Sequence, residues 1–86
     1  MIDFHREFCT KSLNKVIYLA TEGLDYRTVI EENELIFVFE KSEKSSVISN
    51  NYNRILKGEE ISVNLTKYMQ VSREINNVIR EYRKRK

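Results

Sequence analysis

The residues best suited to chemistry in this chain lie within its first nine positions. His5 and Cys9 are four residues apart, a spacing that would place an imidazole and a thiol on one face of a helix. A catalytic thiol also needs a base within hydrogen-bond reach and a cavity around both groups. Phe4 and Phe8 interleave with this pair, which is more typical of a half-buried strand or turn. We therefore predict that His5 and Cys9 do not form a catalytic site.

Carboxylate and metal chemistry are no better supported by the sequence. Four potential ligands alternate with bulky residues near the N-terminus: Asp3, His5, Glu7 and Cys9. Soft thiolate and hard carboxylate ligands suit different metals. The glutamates of residues 31–34 share a turn without the apolar pocket that would raise a pKa. Phosphate loops, nucleophile elbows, H-E-x-x-H and paired CxxC are all absent, so we expect no enzyme, no metal and no cofactor.

Positive charge is concentrated at the C-terminal end of the chain. The net charge is +2, but residues 65–86 carry seven Lys or Arg against two Glu. Basic side chains along a helix can follow phosphates, and Asn or Gln can read base edges. The predicted nucleic-acid-binding residues are Lys67, Arg73, Arg80, Arg83, Lys84, Arg85 and Lys86. The alternative is a core-packing helix with a solvated basic back, where the last cations offset the helix dipole.

Three helices are predicted to position these side chains. Apolar residues recur at three- and four-residue steps over 12–22, 44–57 and 65–82. Gly23 and Gly58 follow the first two of these segments, where glycine readily ends a helix. The predicted N-caps are Thr10 or Ser12, Ser42, and Asn64.

A β-hairpin is predicted between the first two helices. Residues 25–30 and 35–40 are β-branched and aromatic, and EENE separates them. A turn centred on Glu32-Asn33 would pair Ile30 with Leu35, Thr28 with Phe37, and Tyr26 with Phe39. Short extended pieces at 8–10 and 61–63 are candidates to widen the sheet. The sequence thus predicts a single α+β domain over 1–86, in the order (β)αββα(β)α, with the hairpin packed on three helices and a basic tail at 83–86.

The second face of the hairpin is unusually apolar. Residues 35–39 are five consecutive apolar positions, whereas a strand with one wetted face should alternate. Val29, Ile36 and Val38 would form a patch on that face, and something must cover it. We expect the long third helix to be the cover. The alternative is a partner, either another protein or a second copy of the chain.

The pattern of these positions resembles a known group of domains. It comprises Phe8, Thr10, Leu13, Tyr18-Leu19, Gly23 and Phe37-Val38-Phe39, then Tyr52 and Gly58, Ile61-Ser62-Val63, and a final helix with Arg73 and Ile75. This arrangement resembles a small uncharacterised domain family of Gram-positive bacteria and their phages, over residues 7–80. The resemblance implies a phage, prophage or other mobile element as the setting. It implies no functional residue.

The functional expectation combines these observations with the length of the chain. At 86 residues the chain makes one domain. No run approaches the roughly 20 apolar residues of a transmembrane helix, and the charged N-terminus does not resemble a signal peptide, so we expect a cytoplasmic location and no membrane. We predict a small non-catalytic binding protein that associates with nucleic acid. The alternative is an inhibitor or regulator of a host protein that uses Val29, Ile36 and Val38.

Overall fold

A three-stranded sheet and three helices make up the computed structural model, which describes residues 2–85. The elements follow the chain as β1 (Glu7–Thr10), α1 (Leu13–Thr21), β2 (Tyr26–Glu31), β3 (Glu34–Glu40), α2 (Glu43–Leu56) and α3 (Leu65–Lys84). All strand pairs are antiparallel and the order in the sheet is β1-β3-β2. The predicted α+β class, the hairpin and the long last helix are confirmed. None of the three helices in residues 2–85 combines the length and the hydropathy of a membrane-spanning helix.

The hairpin has the register that the sequence predicts. Glu32 and Asn33 form its two-residue turn, with φ of 51° and 64°. Both values are left-handed, as the turn type that matches the strand twist requires. Tyr26 lies opposite Phe39, Thr28 opposite Phe37 and Ile30 opposite Leu35. Strand β1 then pairs with the other side of β3, so the chain's most apolar strand is central.

Each helix begins at a residue that caps it. Ser12 accepts from the Lys15 amide, and Asn64 accepts from the Lys67 amide at 3.0 Å. At the start of α2, Ser42 and Ser45 bond each other's backbone amides reciprocally. These bonds satisfy N–H groups that would otherwise lack a partner in the first turn. The predicted caps are confirmed, with Ser12 rather than Thr10 beginning α1.

The main core lies between the helices and one face of the sheet. Phe37 and Phe39 are buried there against α1 and against Val71 and Ile75 of α3. Phe8 of β1 stacks on Phe39 with ring centroids 5.5 Å apart. Residues 61–63 form no strand, so they do not widen the sheet as the sequence suggested. Val63 instead packs its side chain against this core. The helices thus bury the aromatic face, as predicted.

The second face of the sheet is covered from a different direction than the sequence suggests. Ile36 and Val38 are 7% and 1% exposed, and both form a small cluster with Ile2. Val29 packs at the edge of this cluster. The expected cover by the third helix is therefore wrong, because α3 packs on the opposite face and the N-terminal segment takes its place.

Candidate nucleic-acid interface

The N-terminal residues that the structure describes form a turn followed by strand β1, not a helix. His5 lies in an exposed turn and Cys9 lies exposed on β1, so the helical alignment that would pair them does not form. Within residues 2–85, no three His, Cys, Asp or Glu side chains gather closely enough to hold a metal ion. Glu7 instead forms an ion pair with Arg27, whose Nε and Nη2 donate to the two carboxylate oxygens of Glu7 at 2.9 and 2.8 Å. Glu7 and Arg27 thus connect strands β1 and β2.

Helix α3 presents a cationic stripe on the side turned away from the core. Arg73, Arg80 and Lys84 follow one another at steps of seven and four residues and are exposed. Val71 and Ile75 occupy the opposite side and are buried. At 1.5 Å rise per residue the stripe extends over about 16 Å. The structure thus brings three of the predicted residues into one line on a rigid element.

Two of the remaining predicted cations flank this stripe. Arg83 lies on one flank, toward Leu13, and Arg85 lies on the other flank, toward the hairpin. Lys67 is exposed in the first turn of α3, far from the others along the helix axis. Lys86 lies outside the described residues. The site is therefore densest at the C-terminal half of α3.

The two glutamates of α3 lie to one side of the stripe rather than within it. Glu81 lines a groove between α3 and the hairpin, and its carboxylate approaches Lys84 at 3.8 Å. Glu74 faces the same direction, toward Tyr26 of β2. Burial of Tyr26 raises the pKa of its hydroxyl, and the negative charge of Glu74 raises that pKa further. Among residues 2–85, Arg73, Arg80 and Arg83 make no salt bridge with a carboxylate. Their charge is available to an external anion.

A polar residue beside the stripe was not predicted as part of the site. Asn76 lines a shallow depression of about 320 Å³ together with Arg80 and Arg83. Its amide donates to Ser72 at 3.5 Å, a long bond. The spacing of Asn76 from Arg73, Arg80 and Arg83 is three, four and seven residues, the helical steps that place side chains on one face. That spacing is the signal that would have identified it.

The C-terminal half of α3 is fastened to the hairpin turn. The Tyr82 hydroxyl donates to the Asn33 carbonyl at 2.5 Å, across 49 residues of sequence. Nearby, Lys11 forms a salt bridge with Glu34, which raises the pKa of Lys11. The cationic stripe is thus held on a helix whose end is anchored rather than free.

The predicted partner-binding patch is largely inside the molecule. Ile36 and Val38 lie beneath Ile2, and only Val29 is half-exposed. The Arg27–Glu7 ion pair crosses β3 on the same face, since the two residues lie on the strands that flank it. A protein partner would have to displace these groups to reach the patch.

Comparison with known proteins identifies a family and no function. Residues 5–84 match the family described as a domain of unknown function (DUF5659), which covers nearly the whole chain. The chain therefore belongs to this family. Neither a curated protein nor a solved structure matches it.

Proposed function

We propose that this member of the DUF5659 family is a non-catalytic nucleic-acid-binding protein that contacts phosphates through the outer face of α3. The proposal includes the setting that the resemblance implies, a cytoplasmic protein of a phage, prophage or other mobile element. The observation that best supports this proposal is that Arg73 and Arg80 are exposed, aligned on one helix, and form no salt bridge among residues 2–85.

The geometry of the stripe supports a phosphate-binding role. Arginine presents five donors in a planar fork that matches phosphate oxygens. Asn77 is exposed between Arg73 and Arg80 and Gln70 precedes them, so groups able to hydrogen-bond bases accompany the cations. Tyr68 is half-buried against the core and Tyr82 is half-buried beside the hairpin turn, so no aromatic residue of α3 is exposed as a stacking platform. These features favour contacts with the phosphate backbone of a duplex over stacking on the bases of a single strand.

The test is the salt dependence of binding to a DNA duplex. Each phosphate neutralised adds about 0.9 to the slope of log affinity against log salt. We expect the double variant Arg73→Ala/Arg80→Ala to reduce that slope by about 1.8 units. Fluorescence anisotropy over a range of NaCl concentrations measures it. Removal of residues 83–86 should reduce the slope by a few units more.

The matched control is Lys44→Ala/Lys57→Ala, which removes the same charge from exposed positions away from the stripe. This control should leave the slope close to that of the wild type. Equal loss in both double variants would mean that the net charge, and not the stripe, determines binding. Absence of salt-dependent binding in the wild type would exclude the proposed function.

A further inference from the structure

Strand β2, the first strand of the hairpin, is an uncovered sheet edge. Strand β2 lies at one end of the order β1-β3-β2, and four of its six residues are exposed. The other edge, β1, has only four residues, of which three are half-buried. An edge strand presents a row of unpaired N–H and C=O groups that another strand can use. Strand β2 is therefore the side on which this sheet can be extended.

The turn determines which backbone groups of β2 are unpaired. In a two-residue hairpin, the residues that close the turn bond each other, so Glu31 pairs with Glu34 through hydrogen bonds. Bonded and non-bonded pairs alternate along an antiparallel ladder. Arg27, Val29 and Glu31 therefore bond to β3. Tyr26, Thr28 and Ile30 direct their amides and carbonyls outward.

We propose that the chain forms a homodimer in which β2 pairs antiparallel with β2 of a second copy, about a two-fold axis at Val29. In this register Val29 lies opposite itself, and Arg27 lies opposite Glu31 of the second copy. Directly opposed side chains have Cβ atoms about 4.5–5.5 Å apart, close enough for an ion pair. The symmetry generates this pair twice, so the sequence R-T-V-I-E is complementary to itself.

The neighbouring register is disfavoured by charge. An axis at Thr28 would place Glu31 opposite Asp25 of the second copy, and like charges directly opposite destabilise a strand pair. It would also place Arg27 opposite Val29. The ion pair of Arg27 with Glu7 is compatible with the axis at Val29, because a guanidinium has five N–H donors and can serve two carboxylates.

The other face of the paired strands supports the same arrangement. Ile30 is 60% exposed, an unusual state for an isoleucine in a strand. With the axis at Val29, it would lie opposite Thr28 of the second copy. Thr28 lines the groove of about 450 Å³ between the hairpin and α3, so that groove offers space for the incoming isoleucine. Pairing thus covers the exposed apolar side chain as well as the open backbone.

The test compares two charge reversals in nucleic-acid-free protein by sedimentation equilibrium. The interface is at the small end of the usual size range, so we expect association in the micromolar to millimolar range. Glu31→Arg turns both symmetric ion pairs into repulsions and should weaken the dimer about tenfold. Glu60→Arg makes the same charge change at an exposed residue outside the sheet and should leave the dimer intact.

Amide hydrogen exchange gives an independent readout of the register. The amides of Thr28 and Ile30 should gain protection as the protein concentration rises, whereas those of Arg27, Val29 and Glu31 are protected throughout. Glu31→Gln, which removes the symmetric ion pairs without adding repulsion and leaves the Arg27–Glu7 pair in place, should weaken the dimer less than Glu31→Arg does. A wild type that stays monomeric at millimolar concentration, or a dimer that Glu31→Arg and Glu60→Arg affect equally, would overturn the proposal.

Discussion

At the scale of single residues, Glu7 is the most strongly perturbed ionisable group that the structure describes. Its two oxygens accept from Arg27, and one of them also accepts from the Asp3 amide at 3.0 Å. The bonds from Arg27, and then that from Asp3, lower the pKa of Glu7 from 4.5 to about 2. The pair joins strands β1 and β2 across β3, so its charge state links the two edges of the sheet.

The pH dependence of stability should report this pair. Between pH 4.5 and about 2 the unfolded Glu7 binds a proton that the folded one does not. The stabilisation is therefore complete above pH 4.5 and is lost as the pH falls through that range. We expect Glu7→Gln to lower the urea midpoint at neutral pH and to flatten its decline in acid. A wild-type curve parallel to that of Glu7→Gln would contradict the assigned role.

At the scale of elements, the hairpin turn carries a conformational cost that can be removed. Glu32 adopts φ of 51°, a region in which a residue with a long side chain is disfavoured and Asn is tolerated. We expect Glu32→Asn to raise the free energy of unfolding by about 0.5–1 kcal/mol. Urea denaturation measures the change.

Glu32→Asn also removes a negative charge that repels Glu31 and Glu34. The effect of the lost charge therefore has to be separated from the effect of the relaxed backbone. Glu32→Gln removes the same charge and keeps the backbone strain, so it should recover only a small part of the gain. If Gln stabilises as much as Asn, the turn conformation is not the source of the effect.

The elements that could be predicted from the sequence are those that short-range signals specify. The caps Ser42 and Asn64 and the turn at Glu32-Asn33 carry short-range information, and the helices and the register followed from them. The cover by Ile2 was not predictable, since one apolar residue ahead of β1 has no periodicity to mark it. The cationic residues were identified by composition and spacing, but which side of α3 faces the hairpin, and so that Glu81 rather than Arg80 lines the groove there, depends on how α3 rotates against the sheet.

At the scale of the whole molecule, residues 2–85 form two apolar clusters, one on each face of a single sheet. The main cluster includes side chains from all three helices. The smaller one depends on Ile2, Ile36 and Val38. Burial of one such aliphatic side chain contributes about 1.5–3 kcal/mol. The total stability expected at this size is about 4–13 kcal/mol, so the smaller cluster is a substantial part of it.

Val38→Lys tests whether that cluster is structural. Val38 is 1% exposed, and a buried unpaired ammonium should cost at least about 4 kcal/mol, enough to unfold much of the population. The matched control is Val47→Lys on α2, where the side chain is 59% exposed and the change should cost little. Thermal unfolding followed by circular dichroism compares them. A stable, folded Val38→Lys protein would restore this face as a docking surface.

The central position of β3 has a further consequence for the tendency of the protein to aggregate. Its L-I-F-V-F segment has the composition of amyloid-forming peptides, but strands bond it on both sides and apolar residues cover both faces. Strand β1 is joined to the rest of the domain through Lys11, an exposed residue that trypsin-like proteases cleave after. A proteolytic nick there would leave β1 held only by non-covalent contacts, including those with β3 and Arg27, and dissociation of β1 would expose one edge of this segment.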